Sequence, residues 1–254
     1  MKLATLFLVT MFSLVSSLDA ETIHFRSSIE RVSLLELYTS EGCSSCPPAD
    51  AWLNKLKGDP GLWKNYVPVA FHVDYWNYLG WHDPWSGPEF SQRQRDYAAE
   101  WHTEDIYTPE FVLNGAEWRN WFGLRATPGS TGQKVGVLEI SSTNNALWNV
   151  TFASVAEADG KFEVHAALLA GGLSSEVKAG ENSGHILRHE FAVVELVQIG
   201  LTTSNGVVRG KFLLPFTRHT AEKNLAVAVW ITRAGEIVPL QATGGWFKAG
   251  QAVE

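Results

Sequence analysis

The chain has 254 residues, of which 45% are hydrophobic and 12% aromatic, and its 20 Lys and Arg against 27 Asp and Glu give a formal net charge of −7. This composition excludes a disordered chain, and the acidic balance argues against nucleic acid as a partner because phosphates need basic surface. Two cysteines are too few for the disulfide framework of a small secreted scaffold or for a four-cysteine zinc site.

Residues 1–20 have the pattern of a secretory signal peptide. Lys2 precedes an apolar run that ends at Val15, and small and polar residues follow as far as Ala20. The run is shorter than the roughly 20 apolar residues that span a bilayer, and a retained membrane anchor is the alternative. We expect cleavage between Ser16 and Ala20, no membrane span after removal of the signal, and a periplasmic or secreted protein. A close cysteine pair can stay oxidised there.

A change in composition divides the remaining chain. Eight of the eleven tryptophans lie between Trp52 and Trp121, whereas the residues after about 135 form short stretches of Val, Leu, Ala and Thr. Residues 126–134 (ATPGSTGQK) are rich in Gly, Pro, Ser and Thr, which is typical of a linker. The sequence therefore predicts an α/β domain over residues 21–125 and an all-β domain over residues 135–254.

The first domain is predicted to have the element order βαβαββ. Apolar residues at i, i+3, i+4 and i+7 follow the segment SEGCSSCPP and indicate a helix that begins at its two prolines. An Asn-Gly pair at residues 114–115 is a strong hairpin signal. The predicted strands are 32–39, 67–73 and 111–113, and the predicted helices are 49–56 and 88–101.

Cys43 and Cys46 are predicted to be the reactive pair. Two residues separate them at the start of the first helix, so their sulfurs can reach bonding distance. Cys43 lies beside the positive end of the helix dipole, which stabilises a thiolate and lowers the pKa of the thiol. We expect Cys43 to be the exposed nucleophile and Cys46 to be the shielded thiol that resolves a mixed disulfide. A structural disulfide that does not turn over and a metal clip are the alternatives.

Four motifs of the first domain carry a resemblance to a known family. They are LYTSEGCSSCPPAD, AFHVDYWNYLGWHDP, a helix with QRQRDYA, and IYTPEFVLNG. In this order, over residues 32–118, they resemble a secreted thioredoxin-like family catalogued as domain of unknown function 1223. The resemblance implies a thioredoxin-like fold, with Cys43 and Cys46 at the redox position and Pro109 as a cis-proline that faces them. It implies no substrate.

Three further residues are predicted to support the cysteines. Glu36 lies on the strand before the motif, and if it points inward, burial would raise its pKa and make it a base for the second cysteine. An exposed or salt-bridged carboxylate is the alternative. A cis Thr108–Pro109 bond before a strand would leave an open backbone edge beside the cysteines, where a substrate peptide can pair.

The segment from residue 72 to residue 85 combines aromatic and titratable side chains after a strand. His72 and Asp74 are two residues apart, so on a continuing strand they would share a face and act as a proton-handling or metal-binding pair. Trp76 and Trp81, together with Trp85, would form a wall that faces a substrate. The alternative is a packing network in which the aromatic rings cover the sheet and the polar groups bind loop amides.

Metal binding is a rival hypothesis for the same region. Cys43, Cys46 and His72 offer two sulfurs and a nitrogen, a set that suits Cu(I) or Zn. Thioredoxin-like copper carriers, however, separate their cysteines by three residues rather than two, and the other histidines show no ligand spacing. We therefore expect no metal and no cofactor.

The C-terminal half is predicted to be all-β. Asp159-Gly160, Asn205-Gly206 and Ala234-Gly235 each separate two β-prone stretches and predict three hairpins. Residues 225–231 place apolar side chains on both faces of their strand, as in a sandwich core. Seven or eight strands then fit a β-sandwich, for which a binding or docking role is expected.

Together these features predict a periplasmic or secreted thiol-disulfide oxidoreductase that acts on protein thiols or disulfides and exchanges electrons with a redox partner. The alternative is a non-catalytic binding protein or a copper- or zinc-handling protein, in which the cysteines form a static bridge or a metal clip. The pattern sets neither the direction of the reaction nor the oligomeric state.

Overall fold

The computed structural model describes residues 22–122, 127–156, 160–204, 206–215 and 224–248. The predicted signal peptide, residues 1–20, lies outside these ranges, as do Asp159 and Asn205 of two predicted turns. No helix in the described part of the chain is long and apolar enough to cross a membrane.

Two α-helices, three short 3₁₀ helices and fourteen strands make up the regular structure of the described residues. The α-helices are α1 (Pro47–Lys55) and α2 (Pro88–Glu100). The strands are β1 (Ile23–Arg26), β2 (Ser33–Thr39), β3 (Tyr66–His72), β4 (Glu110–Leu113), β5 (Ala116–Glu117), β6 (Gly136–Ser142), β7 (Leu147–Ser154), β8 (Lys161–Gly171), β9 (Leu173–Glu176), β10 (Ile186–His189), β11 (Ala192–Ser204), β12 (Val207–Leu213), β13 (Asn224–Arg233) and β14 (Gln241–Phe247).

Twelve of these strands form one mixed sheet. Nine follow the order β1-β6-β7-β12-β11-β3-β2-β4-β5, while β8 joins the sheet beside β11, β13 beside β8, and β14 beside β13. Strand β3 is parallel to β2 on one side and to β11 on the other. Strands β9 and β10 form a separate two-stranded sheet.

The predicted fold class is wrong. The protein is mostly β, with one large mixed sheet and two α-helices among the described residues, rather than an α/β thioredoxin-like domain followed by a β-sandwich. Strands from the two halves of the chain hydrogen-bond to each other, because β11 pairs with β3 and β6 pairs with β1. Local patterns predict single elements, but they carry no information about such distant pairings. The boundary at residues 126–134 stays a prediction.

Individual elements of the N-terminal half agree with the sequence. Helix α1 begins at Pro47 and Pro48, where the first turn needs no amide donor, and α2 likewise begins at Pro88. Asn114 and Gly115 connect β4 to β5 with positive φ angles of 52° and 86°, so the hairpin predicted from this pair is confirmed.

Pairing in the C-terminal half differs from prediction at one of three hairpins. Strand β7 pairs with β6 and β12, and β8 pairs with β11 and β13, so the hairpin expected between β7 and β8 does not form. The pairs β11–β12 and β13–β14 are antiparallel, as predicted, although β14 begins at Gln241 rather than directly after the turn.

Strands β8, β11 and β13 lie between two clusters of buried apolar side chains. On β13, Ala226, Ala228 and Trp230 join the cluster that includes β2, β3 and the two helices. The alternate side chains of β13 join a second cluster with β6, β7 and β12: Leu225, Val227, Val229 and Ile231. Both faces of β13 are covered, as its sequence predicts, but one of the covering layers comes from the N-terminal half.

Candidate functional site

Cys43 and Cys46 form a disulfide bond at the N-terminus of α1. Two consecutive turns present the pair, because the Cys43 amide donates to the Ser40 carbonyl and the Cys46 amide to the Cys43 carbonyl, both at 3.2 Å. Cys46 is the N-cap of α1, and its carbonyl accepts the first amide of the helix, from Ala49, at 2.9 Å. Cys46 is therefore the sulfur-bearing residue at the positive end of the helix dipole.

The Thr108–Pro109 peptide bond lies beside this disulfide and is cis, as predicted. The Thr108 carbonyl oxygen is 3.7 Å from the Cys43 sulfur and accepts a hydrogen bond from the Ser45 hydroxyl at 3.3 Å. Strand β4 starts at the next residue, Glu110, so the turn before β4 contacts the CxxC segment.

Both cysteines are buried, so the expectation of an exposed Cys43 is wrong. The exposed fraction is 1% for Cys43 and 0% for Cys46. The loop between β9 and β10 is hydrogen-bonded to the segment that carries them: Asn182 donates to the Cys43 carbonyl at 2.9 Å, and Glu181 accepts from the Ser44 amide at 2.9 Å. Asn182 lies 139 residues from Cys43 in the chain, so local sequence does not reveal this contact.

Beneath the disulfide, on the side of β2 and β3 that faces α1, lies a group of buried titratable side chains. We call it the α1-face cluster, and its members are at most 6% exposed: Glu41, Asp50, His72, Asp83 and His189. Asp50 accepts from the Thr39 hydroxyl at 3.1 Å, and the His189 Nε2 atom is 3.0 Å from the Glu41 carboxylate. The rings of His72 and His189 lie edge to face with their centroids 4.7 Å apart.

His72 forms a buried ion pair with Asp83 at 2.8 Å rather than with Asp74. Burial alone would lower the pKa of this imidazole, but the Asp83 charge and hydrogen bond overcome that effect and raise the pKa of His72 to about 9. Although burial opposes it, the His72 charge in turn lowers the pKa of Asp83. The predicted pairing with Asp74 is wrong because β3 ends at His72, and Asp74 contacts the Ser91 hydroxyl on α2 instead.

Asp50 is the carboxylate nearest in sequence to the second cysteine. It follows Cys46 by four residues on the buried side of α1, so one helical turn separates them. Burial raises the pKa of Asp50, although the charge of His189 opposes the rise. The Nδ1 atom of His189 is 4.0 Å from the Asp50 carboxylate and has no hydrogen-bond partner among the described residues. Both residues line a cavity of about 330 Å³ between α1 and β10.

Glu36 does not lie beneath the disulfide. Its carboxylate is fully buried on the opposite side of the sheet, where Arg93 of α2 donates to both oxygens at 2.7 and 3.1 Å. The hydroxyl groups of Tyr38 and Tyr97 also donate to it. We call this set the α2-face cluster. Residues alternate along a strand, so Thr39 faces α1 while Glu36 faces α2. The salt-bridged alternative describes Glu36.

Two of the three predicted wall tryptophans lie at the site. The indole N–H of Trp76 donates to the Thr108 hydroxyl at 2.8 Å, and the indole N–H of Trp81 donates to the Glu41 carboxylate at 2.8 Å. A side chain at Gly42 would meet Trp76 at 2.9 Å. Trp85 instead packs against the second apolar cluster. The polar bonds of Trp76 and Trp81 hold the CxxC loop and the turn before β4 in place.

Across the described ranges, no group of three or more His, Cys, Asp or Glu is arranged to hold a metal ion. In particular, the two sulfurs form a disulfide, and the His72 imidazole is paired with the Asp83 carboxylate. The set of Cys43, Cys46 and His72 is therefore not assembled as a metal site.

Several site residues escaped prediction: Glu41, Asp50, Asp83, Asn182 and His189. Asp50 had a usable signal, because a carboxylate four residues after a helix-starting cysteine shares its helix face. Asp83, Asn182 and His189 come from loops or strands that only the tertiary fold brings to the cysteines, and no spacing rule connects them.

Comparison with known proteins gives a family but no activity. The model of the family described as "Protein of unknown function (DUF1223)" matches residues 34–232. The fold is similar to an X-ray crystal structure of a protein from Agrobacterium tumefaciens, with a TM-score of 0.60, 21% identity, and coverage of 89% of this chain and 97% of that chain. It is also similar to HBP35 of Porphyromonas gingivalis, with a TM-score of 0.60, 14% identity, and coverage of 90% and 79%. No curated protein matches the chain.

Proposed function

Because the chain belongs to the DUF1223 family, whose description assigns no reaction, we propose from its site that it is a thiol-disulfide oxidoreductase. It acts through Cys43 and Cys46 on protein thiols or disulfides and exchanges electrons with a redox partner. One observation carries the proposal: the disulfide lies at the N-terminus of α1, with the titratable Asp50 one turn further along the same helix.

In the oxidising direction, a substrate thiolate attacks the sulfur of Cys43 and the Cys46 thiolate leaves. A second substrate thiol then displaces Cys43, so the substrate loses two electrons and two protons and the protein gains both as two thiols. The N-terminus of α1 stabilises the Cys46 thiolate as it leaves.

Proton transfer at the buried sulfur needs a group that can change its charge. Burial raises the pKa of Asp50 above its ordinary value, and this suits the task because such a carboxyl takes up a proton more readily and can return it to the thiolate. Asp50 takes the role that the sequence had suggested for Glu36, whose two oxygens are committed to Arg93.

The reduction potential of the pair tests the proposal. Equilibration with glutathione buffers, followed by alkylation and mass spectrometry, should give a potential above about −300 mV, the range of disulfides that turn over. A Cys46→Ser variant should retain substrate proteins as adducts that a reductant releases, and Cys43→Ser is the control. A potential well below that limit without adducts contradicts the proposal.

A non-catalytic binding protein with a structural disulfide is the second candidate, and the burial of both cysteines favours it. Static bridges in secreted proteins resist reduction by the glutathione pool, so the same potential measurement separates the two candidates.

A periplasmic or secreted location belongs to the same proposal. Its support is the signal-like sequence of residues 1–20, together with a disulfide that needs an oxidising compartment. Expression of the full chain should yield a product cleaved between Ser16 and Ala20 by intact-mass measurement. An uncleaved chain retained with the membrane fraction would favour the anchor instead.

A further inference from the structure

The disulfide is closed to a partner in this conformation. Attack on Cys43 requires a sulfur to approach it in line with the bond that breaks, yet Cys43 is only 1% exposed while the neighbouring Ser44 and Ser45 are exposed. If thiol-disulfide exchange takes place here, some part of the protein has to move first.

The loop of residues 177–185 is hydrogen-bonded to the backbone of Cys43 and Ser44. The side-chain amide of Asn182, itself only 3% exposed, donates to the carbonyls of Glu41 and Cys43, each at 2.9 Å. An asparagine amide supplies both hydrogens that two carbonyls need, whereas an aspartate would place oxygen against oxygen. The closed position of the loop is therefore specified by a buried polar contact and not by chance packing.

The loop is built as a unit that can move without breaking the large sheet. Its two ends are bonded to each other, because the Val177 amide donates to the His185 carbonyl at 2.9 Å and the Gly184 amide to the Val177 carbonyl at 2.8 Å. The flanking strands β9 and β10 pair only with each other among the described strands. Displacement of the loop thus costs its contacts with the CxxC segment, its packing beside Leu79 and Trp81 and the burial of Val177, but no ladder of the twelve-stranded sheet.

Glu181 couples this loop to the oxidation state. Its carboxylate accepts from the amide of Ser44, the residue next to Cys43. A disulfide is uncharged, but reduction replaces it with two ionisable thiols, and a thiolate at Cys43 would be a second negative charge one residue away from the amide that Glu181 binds. The contact is thus favourable in the oxidised protein and weaker in the reduced one.

We propose that residues 177–185 form a redox-sensitive lid, which covers Cys43 in the disulfide form, opens to admit a partner, and is held less firmly after reduction. The lid gives the proposed exchange reaction its control of access, and in that sense it rests on the proposed function. Asn182 and Glu181 act on access and charge and are positioning residues.

Reduction of the isolated full-length protein by dithiothreitol tests the lid. Dithiothreitol gives up two electrons and two protons and closes its own cyclic disulfide, leaving Cys43 and Cys46 as thiols. An Asn182→Ala variant should be reduced about tenfold to thirtyfold faster, the factor expected when two ordinary hydrogen bonds are lost. Ser183→Ala is the matched control, since its hydroxyl bonds only within the loop, to the Lys178 carbonyl, and its rate should be unchanged.

Amide hydrogen exchange gives a second test, whose first measurement uses the unmutated protein. Exchange in residues 177–185 should be faster in the reduced form than in the oxidised form, while exchange in β13 should stay the same. Glu181→Gln should shrink this difference because it removes the charge and keeps an oxygen acceptor, and Glu176→Gln on the same hairpin should not. Equal exchange in both oxidation states, or a wild-type reduction rate for Asn182→Ala, would overturn the lid.

The two proposals can fail independently. Dithiothreitol reduces the pair whether or not the protein has a protein substrate. Fast reduction of Asn182→Ala without substrate adducts would leave the lid standing and remove the oxidoreductase proposal. Adducts together with a variant that is reduced at the wild-type rate would do the reverse.

Discussion

The two faces of strands β2 and β3 bury charge in different ways. On the α2 face, Glu36 is paired with Arg93 through two hydrogen bonds, and two tyrosine hydroxyls complete the shell of its carboxylate. On the α1 face, the His72 and His189 rings lie edge to face. Within the part of the chain that the structure describes, neither the Nε2 atom of His72 nor the Nδ1 atom of His189 has a hydrogen-bond partner.

The difference separates a carboxylate that its partners fix in place from a group of titratable side chains near the disulfide. The hydrogen bonds that Glu36 receives from Arg93 and from two tyrosine hydroxyls hold α2 on the sheet. The α1-face cluster contains two imidazoles and Asp50, an acid with a raised pKa on the helix that starts at the disulfide.

The largest expected effect on stability comes from breaking the α2-face cluster. An Arg93→Met change leaves the buried Glu36 charge without its partner and should lower the free energy of unfolding by about 3–5 kcal/mol. Urea denaturation at pH 7 measures it. The double variant Glu36→Gln with Arg93→Met should recover part of the loss. The reduction potential of the cysteine pair should not change. A loss of unfolding free energy below about 1 kcal/mol would contradict the view that Glu36 depends on Arg93 as its partner.

The next effect is a pH dependence of stability that belongs to His72. Its pKa is about 9 in the folded protein and about 6.5 when unfolded, so the folded state binds the extra proton between these values. The stabilisation is therefore complete below about pH 6.5 and is lost as pH rises through about 9, by an amount on the order of 3 kcal/mol. Urea titrations at several pH values should show this fall, and His72→Asn should flatten it. A slope that survives in the variant would assign it to another group.

The rate of thiol-disulfide exchange should fall when Asp50 is replaced by a residue that cannot ionise. Asp50→Asn keeps an acceptor for Thr39 and removes the ionisable carboxyl, so we expect exchange with a small thiol at pH 7 to slow by about tenfold to a hundredfold. The pH–rate profile should lose one ionisation. Glu36→Gln is the comparison on the other face, and an equal slowing of both variants would mean that the effect is structural and not a proton transfer.

The smallest expected effect concerns Trp81, whose indole is hydrogen-bonded to Glu41 of the α1-face cluster. Trp81→Phe removes the hydrogen bond from the indole to Glu41 and keeps most of the ring, so stability should fall by about 1 kcal/mol. Trp76→Phe, which removes the bond to Thr108, is its matched partner. The midpoint of thermal unfolding measures both. A loss of several kcal/mol of stability for Trp81→Phe would indicate that the indole stabilises the α1-face cluster through more than this one hydrogen bond.

The sequence predicts the local structure of the cysteine segment better than the contacts around it. The strand before the cysteines, the proline-led helix and the hairpin at residues 114–115 follow from local patterns, because each depends on residues close together in the chain. The cis Thr108–Pro109 bond, which is present, is what the family resemblance implies. Glu36 shows the limit. All seven residues of β2 are buried, so its side chains show no alternation between polar and apolar from which a direction could be inferred.

The rest of the site depends on distant contacts. His189 reaches Glu41 across 148 residues of chain, and Asn182 reaches the same residue across 141. The pairing of β11 with β3 joins the C-terminal half of the chain to the N-terminal half. A parallel pair between two halves of a chain leaves no turn signal in the sequence. In the same way, the apolar residues of β13 predict that both faces are covered and do not predict by which strands.

Strand β13 lies between two apolar clusters and therefore faces two different limits on side-chain volume. Ala226 and Ala228 belong to the cluster that holds the rings of Trp63 and Phe191, while Val227 and Val229 belong to the second cluster, which also contains aromatic rings. Enlarging an alanine would force rings apart, whereas trimming a valine would open a small void. Tolerance to substitution along this strand should alternate from residue to residue, with growth rejected at 226 and 228 and shrinkage rejected at 227 and 229.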